Sequence, residues 1–315
     1  MKPRSYRSVL KAGFLLYTEN FRRLFKASWI MALLYALCCG ALGTLSAIKI
    51  PELIVAVIEQ VTNYQGIIIE PLLPYCYNML TIVGLSLLAL VILALASATL
   101  LNKLKEHKDT GAIIPPASWL KVSPRLMLRT LKGAFLTLLI IVLPLLLIAG
   151  AIVMVGANNL QQLQSHTITI TATYMIVTVI IIILALPMTY TLMKYIMEAP
   201  CGYFSTLSRH YGKGMKHWGG LFLVFFVSAL VVALTELVVM MPAQILNIAN
   251  QSAHLGLLKG DPLGMPSYIT TLTFATFVFC CFIQFYVSQI LLVHNYYLYG
   301  TIEAKEEEQS KIEHQ

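Results

Sequence analysis

A basic segment, residues 103–132, separates two runs that contain no Asp, Glu, Lys or Arg, residues 79–101 and 133–193. The segment itself carries seven Lys or Arg and two acids, Glu106 and Asp109. A helix needs about 20 apolar residues to cross a hydrocarbon core of roughly 30 Å, and basic loops stay on the cytoplasmic side. The pattern predicts an all-α polytopic membrane protein held in one orientation. Composition excludes the alternatives. Only 11% of the residues are charged and 58% are hydrophobic, whereas soluble domains carry about 25% charged residues. The apolar runs are continuous, which does not suit the roughly 10-residue alternating segments of a β-barrel. The formal net charge of +8 falls beside the apolar runs, where it sets orientation and meets anionic lipid head groups. No soluble basic domain is left for nucleic acid.

Six spans are predicted, about 27–48, 79–101, 133–156, 171–193, 218–240 and 269–293, paired as three hairpins. They form one transmembrane domain over residues 1–300, and an acidic tail, 301–315, is polar enough to fray. The N-terminal end and the segments 103–132 and 194–217 hold seven, seven and four Lys or Arg. The intervening loops 49–78, 157–170 and 241–268 hold one, none and one. Both termini are therefore expected in the cytoplasm, with the protein in a bacterial inner membrane. The first apolar run has no small-x-small cleavage site before Lys49 and is expected to be retained as a span. Each hairpin begins with a basic amphipathic stretch, so the chain reads as three parallel topological repeats. Carriers more often use inverted repeats.

Local signals fill in the hairpins. In residues 4–26, Leu10, Phe14, Tyr17, Phe21 and Leu24 recur at helical spacing, with Arg7, Lys11, Thr18 and Arg22 on another face. Such a helix lies in the head-group region or packs on the cytoplasmic end of the bundle, and the two readings are compatible. Phe204, Leu207, Tyr211, Met215 and Trp218 form a second stripe. Ala36, Gly40 and Gly43 offer a small face for close helix contact. Pro51 and Glu52 could open a short helix in the first outside loop. Ser123-Pro124 reads as a cap followed by a first-turn proline, with Lys121, Arg125, Arg129 and Lys132 on one face beyond it. Pro144 and Pro187 lie within spans, as static kinks or as hinges. Tyr296, Tyr297 and Tyr299 are placed at an interfacial aromatic belt.

Chemistry is sparse. The six cysteines have no C-x-x-C and no zinc spacing, and four lie as adjacent pairs within apolar runs, where Cys behaves as a small hydrophobe. No P-loop, zinc-hydrolase, nucleophile-elbow or dinucleotide fingerprint is present. No catalytic residue, metal ligand or cofactor is assigned. Glu236 is the one formally charged residue within a predicted span. An ionisable group there is a functional candidate, and a solute path through Glu236 and Gln244 is one reading. Arg22, Arg23, Lys26, Arg125, Arg129 and Lys132 are candidates for anionic lipid head groups on the cytoplasmic side. Asn250-Gln251-Ser252 is a glycosylation sequon on an outside loop.

The opening Ser8-Val9-Leu10-Lys11, then Tyr17-Thr18-Glu19-Asn20-Phe21-Arg22-Arg23-Leu24, and an ending with Tyr296 and Tyr297 before the charged stretch 303–308, resemble uncharacterised bacterial six-helix membrane proteins. These are similar to the YciC-like proteins and to the membrane domain sometimes fused to glycerophosphodiester phosphodiesterases. The resemblance implies the six-helix fold over most of the chain. It implies no activity, because no soluble segment is long enough for a phosphodiesterase barrel of roughly 250 residues. The function expected is support of envelope or lipid organisation, or of an unknown protein partner. The alternative is a transporter of small solutes or lipid. A membrane-embedded enzyme is the third reading.

Overall fold

The computed structural model describes residues 3–64, 72–113, 123–158, 160–198, 201–260, 266 and 268–313, with side chains described outside 61–64, 151–170 and 313. Among the described residues there are eight α-helices and no strands: α1 (Tyr6–Glu19), α2 (Phe21–Tyr64), α3 (Leu73–Thr110), α4 (Pro124–Asn158), α5 (Leu160–Met197), α6 (Tyr203–Lys216), α7 (Trp218–Leu258) and α8 (Tyr268–Glu313). Six of them, α2, α3, α4, α5, α7 and α8, are long and apolar enough to cross a membrane. In lipid every backbone N–H and C=O must be satisfied within the segment, which is why such sequences form helices. The pairs α2–α3, α4–α5 and α7–α8 pack as hairpins.

The helices outrun the predicted spans. At 1.5 Å per residue the 44 residues of α2 extend for about 66 Å, twice the hydrocarbon thickness. The expected loop at 49–78 is helical through Tyr64, with buried Pro51 inside α2 rather than opening a separate helix. The expected loop at 241–268 is helical through Leu258, Pro242 included. The segment 157–170 is helical on both sides of residue 159. The segment 194–217 contains α6. The reason is cooperativity: once a span has nucleated a helix, each further residue adds a hydrogen bond at little cost. The tail does not fray either, because α8 continues to Glu313. Other signals hold at the backbone. Pro124 is the first residue of α4, and the Ser123 carbonyl accepts from Leu126 and Met127. Lys121 lies outside the described residues.

The core sits at the basic end of the bundle. All eight helices contribute to one cluster there, around Val9, Leu101, Leu104, Tyr190, Leu221, Tyr296 and Tyr299. Tyr296 and Tyr299 are at most 1% exposed, so the aromatic group expected at the lipid interface is the centre of the protein core. Toward the other end, burial narrows to α2, α7 and α8. There Gly40 and Gly43 lie against α8: a Cβ on Gly40 would stand 2.5 Å from Val278, and one on Gly43 would stand 2.7 Å from Phe277. The α4–α5 hairpin is held mainly near the basic end. Leu146, Leu147, Met175 and Ile176, further along it, are exposed, as suits side chains facing lipid.

The docked face of helix α1 overlaps the expected stripe only in part, through Leu10 and Tyr17. Val9, Gly13, Leu16 and Tyr17 are buried, whereas Phe14 and Phe21 of the sequence stripe are exposed. The buried face lies on α8. The Tyr17 hydroxyl donates to the Tyr286 carbonyl at 2.7 Å, and Gly13 leaves room only for the His294 ring.

Candidate functional site

Three helices meet in a polar cluster at the basic end. Lys194 of α5 donates to both carboxylate oxygens of Glu303 of α8 at 2.8 Å. The Tyr190 hydroxyl, one turn before Lys194, donates to the same carboxylate. Beside it, Glu198 accepts from the Tyr299 hydroxyl and pairs with Lys194 at 3.4 Å and with Lys108 of α3 at 3.5 Å. Burial pushes the Glu198 carboxyl up, but the Tyr299 hydrogen bond and the ammonium groups of Lys194 and Lys108 outweigh it and hold the group below the usual carboxylate range. Helical spacing places Tyr190 and Lys194 on one face of α5, with Glu198 just past its last turn, as it places Tyr299 and Glu303 on α8. A second group of ions ties the tail to α6 and α7: Glu306 faces His217 at 3.0 Å, Lys216 at 3.5 Å and Lys213 at 3.8 Å. The tail residues are helical because their acids meet cations from elements about 90 to 110 positions away in sequence.

Helix α6 is docked on the proline of α5. Pro187 has no N–H, so the Ile183 carbonyl one turn earlier loses its helical donor. The Trp218 indole N–H donates to it at 3.2 Å, and the Tyr211 hydroxyl donates to the neighbouring Leu184 carbonyl at 2.8 Å. Gly214 permits the contact, since a Cβ there would stand 3.0 Å from the Pro187 carbonyl oxygen. At the other end of α6, the Tyr203 hydroxyl donates to Thr137 Oγ1 of α4 at 2.6 Å, whose own proton goes to Gly133. An apolar groove of about 700 Å³ lies between α6 and the α4–α5 hairpin, with Pro144, Leu184, Phe204 and Tyr211 in its walls. Pro187 is thus clasped by α6 and by Trp218.

The residues singled out from sequence are dispersed. Glu236 and Gln244 are both exposed on α7. Glu236 lies within electrostatic reach of Tyr35 on α2 and Cys281 on α8. Asn250 of the sequon is buried in α7, not on a loop. Of the candidate head-group cations, Arg22, Lys26, Arg125 and Lys132 are exposed. Arg23 instead donates to the Ile113 carbonyl at 2.7 Å and to Asn20 at 3.2 Å. Arg129 lies over the Tyr195 ring and donates to the Glu198 and Cys201 carbonyls. The polar cluster of Lys108, Tyr190, Lys194, Glu198, Tyr299 and Glu303 was not singled out from sequence. Its one local signal is the Lys194–Glu198 spacing of four. Among the described residues no group of three His, Cys, Asp or Glu side chains could hold a metal ion.

Fold and site define a class: a six-span helical membrane protein, with its core and its ion-pair clusters gathered at the basic end and two short helices, α1 and α6, docked there. No family model, curated protein or solved structure matches the chain.

Proposed function

We propose that this protein is a non-catalytic integral protein of a bacterial inner membrane, with both termini, α1 and α6 on the cytoplasmic face, and that it organises lipid there. One observation carries the reading. Helices α1 and α6 are held to the spans by one face, while Phe14 and Leu15 on α1 and Phe204 and Met215 on α6 remain exposed, on helices that also carry Arg7, Lys11, Arg209 and Lys213. Apolar side chains left uncovered beside cations at the edge of a bundle suit the boundary between acyl chains and phosphates. The apolar groove beneath α6 is of a kind that takes an acyl chain. The test compares phospholipid retained per protein after gentle extraction, for the wild type and a Phe14→Ser/Phe204→Ser variant. Retention is expected to fall in the variant with little change in melting temperature. Equal retention would sink the reading and turn attention to a protein partner at the same face.

A transport reading rests on Glu236, an exposed carboxylate in an otherwise apolar span, with Gln244 two turns further toward the opposite face. It predicts that Glu236→Ala abolishes solute or lipid movement in proteoliposomes. A variant that moves everything the wild type moves would remove it.

A further inference from the structure

The edge of the bundle between α1, the end of α3 and Tyr297 of α8 encloses a pocket of about 450 Å³. That lies within the usual range of ligand sites, about 300–1,000 Å³. Unlike the groove under α6, it is lined by charge. Glu19, Arg23, His107 and Tyr297 are in its walls, with Leu15 and Leu16 beside them. We propose that this pocket binds the head group of a phospholipid carrying both a phosphate and a primary ammonium. The proposal rests on the lipid-organising reading above and names the lipid.

Three observations carry it. Glu19 and Arg23 stand four residues apart, the spacing at which a carboxylate and a guanidinium normally pair. Here they do not: Arg23 turns its Nη1 to Ile113 and Asn20, and Glu19 has no ion pair or hydrogen bond among the described residues. The wall therefore holds a separated positive and negative charge, which a zwitterion complements and a simple anion does not. The donors for phosphate are at hand. Arg23 keeps Nε and Nη2; His107 Nδ1 lies 2.9 Å from the Tyr296 hydroxyl, and with that hydroxyl donating to Nδ1 the ring proton stands on Nε2. A second guanidinium, Arg4, lies 5.0 Å from the centre of the Tyr297 ring. Guanidinium is well suited to phosphate because its fork binds two oxygens at once. Finally, the pocket opens beside exposed apolar side chains. Leu15 lines it and is itself exposed, next to exposed Phe14, so a head group seated here leaves its acyl chains on an apolar rim. A quaternary ammonium has no N–H to donate to Glu19, and a glycerol head group has no cation for it.

The test uses the full chain in mixed micelles with equal amounts of phosphatidylethanolamine, phosphatidylcholine and phosphatidylglycerol, with retained lipid read by native mass spectrometry. The wild type is expected to favour the ethanolamine lipid by up to about fivefold, the upper end for a charge pair at an exposed carboxylate such as Glu19. Glu19→Gln is expected to bring the ratio to near one without changing total lipid or melting temperature. Arg23→Gln is expected to lower all three lipids, with melting temperature measured beside it because the guanidinium also holds the Ile113 carbonyl. A wild type that retains lipid without head-group preference, or a Glu19→Gln variant that keeps the preference, overturns the pocket assignment alone. A wild type that retains no lipid overturns the reading beneath it. Soluble phosphoethanolamine binding as well as the lipid, and displacing it, would assign the pocket to the free phosphate compound instead.

Discussion

Lys194 is the residue on which the basic end turns, since it serves two carboxylates, Glu198 just past α5 and Glu303 of α8, while its side chain is only 13% exposed. Removing one member of such a cluster strands the others, whereas replacing a pair by apolar groups of similar size is often neutral. Glu303→Gln is therefore expected to cost about 1–3 kcal/mol. Lys194→Met/Glu303→Leu should cost less than the sum of its single variants, as read by a double-mutant cycle on thermal unfolding in detergent. The neighbouring Glu198 gives a pH signature. Its carboxyl is held below the ordinary value of 4.5 in the fold, so its stabilisation is complete above about pH 4.5 and is lost as pH falls through the lowered folded value. Melting temperature should drop on acidification below that point, and Glu198→Gln should shrink the drop. An identical acid profile in the variant would remove Glu198 from the account.

At the scale of elements, the contact between α6 and Pro187 is the most specific. A helix proline normally leaves a carbonyl to water or to a neighbour, and here the neighbour is the Trp218 indole at 3.2 Å. Trp218→Phe keeps the ring and removes the donor, and is expected to lower stability by about 1–2 kcal/mol. In a Pro187→Ala background the helix supplies its own N–H to Ile183, so the same Trp218→Phe change should cost distinctly less. Equal costs in both backgrounds, measured by thermal unfolding, would mean that the indole contributes packing alone. The stripe of Phe204, Leu207, Tyr211, Met215 and Trp218 could be read because its period is local. Its docking partner was not, because nothing in the sequence near Pro187 says that Trp218 and Gly214, about 30 residues on, will meet it.

For the molecule as a whole, orientation is the property most open to test, and two native cysteines are placed for it. Cys76, in the first turn of α3 at the less basic end, and Cys201, before α6 at the basic end, are both exposed. The proposed orientation, with the basic end in the cytoplasm of a bacterial cell, predicts that a membrane-impermeant maleimide added to intact cells with a permeabilised outer membrane labels Cys76 and spares Cys201, and that lysis exposes Cys201. The reverse pattern would invert the topology. The four remaining cysteines lie within the apolar helices and should stay unlabelled.

Membrane class, all-helical fold and the number of spans followed from the sequence alone, because the hydrocarbon core imposes a length and an absence of charge that can be read residue by residue. The helices run up to about 20 residues past the predicted spans, as α8 does to Glu313, because propagation beyond the bilayer depends on neighbours rather than on hydropathy. Only tertiary structure decided that Tyr296 and Tyr299 form a core instead of a belt, that an acidic tail is helical, and that Arg23 holds a carbonyl while Glu19 goes without a cation. Each of these depends on which groups from distant helices come within reach: burial makes an unpaired polar group costly in the core, whereas the exposed Glu19 carboxylate can stay hydrated without a cation. The apolar periodicity specified the helices; the pairing of the few polar groups specified how they meet.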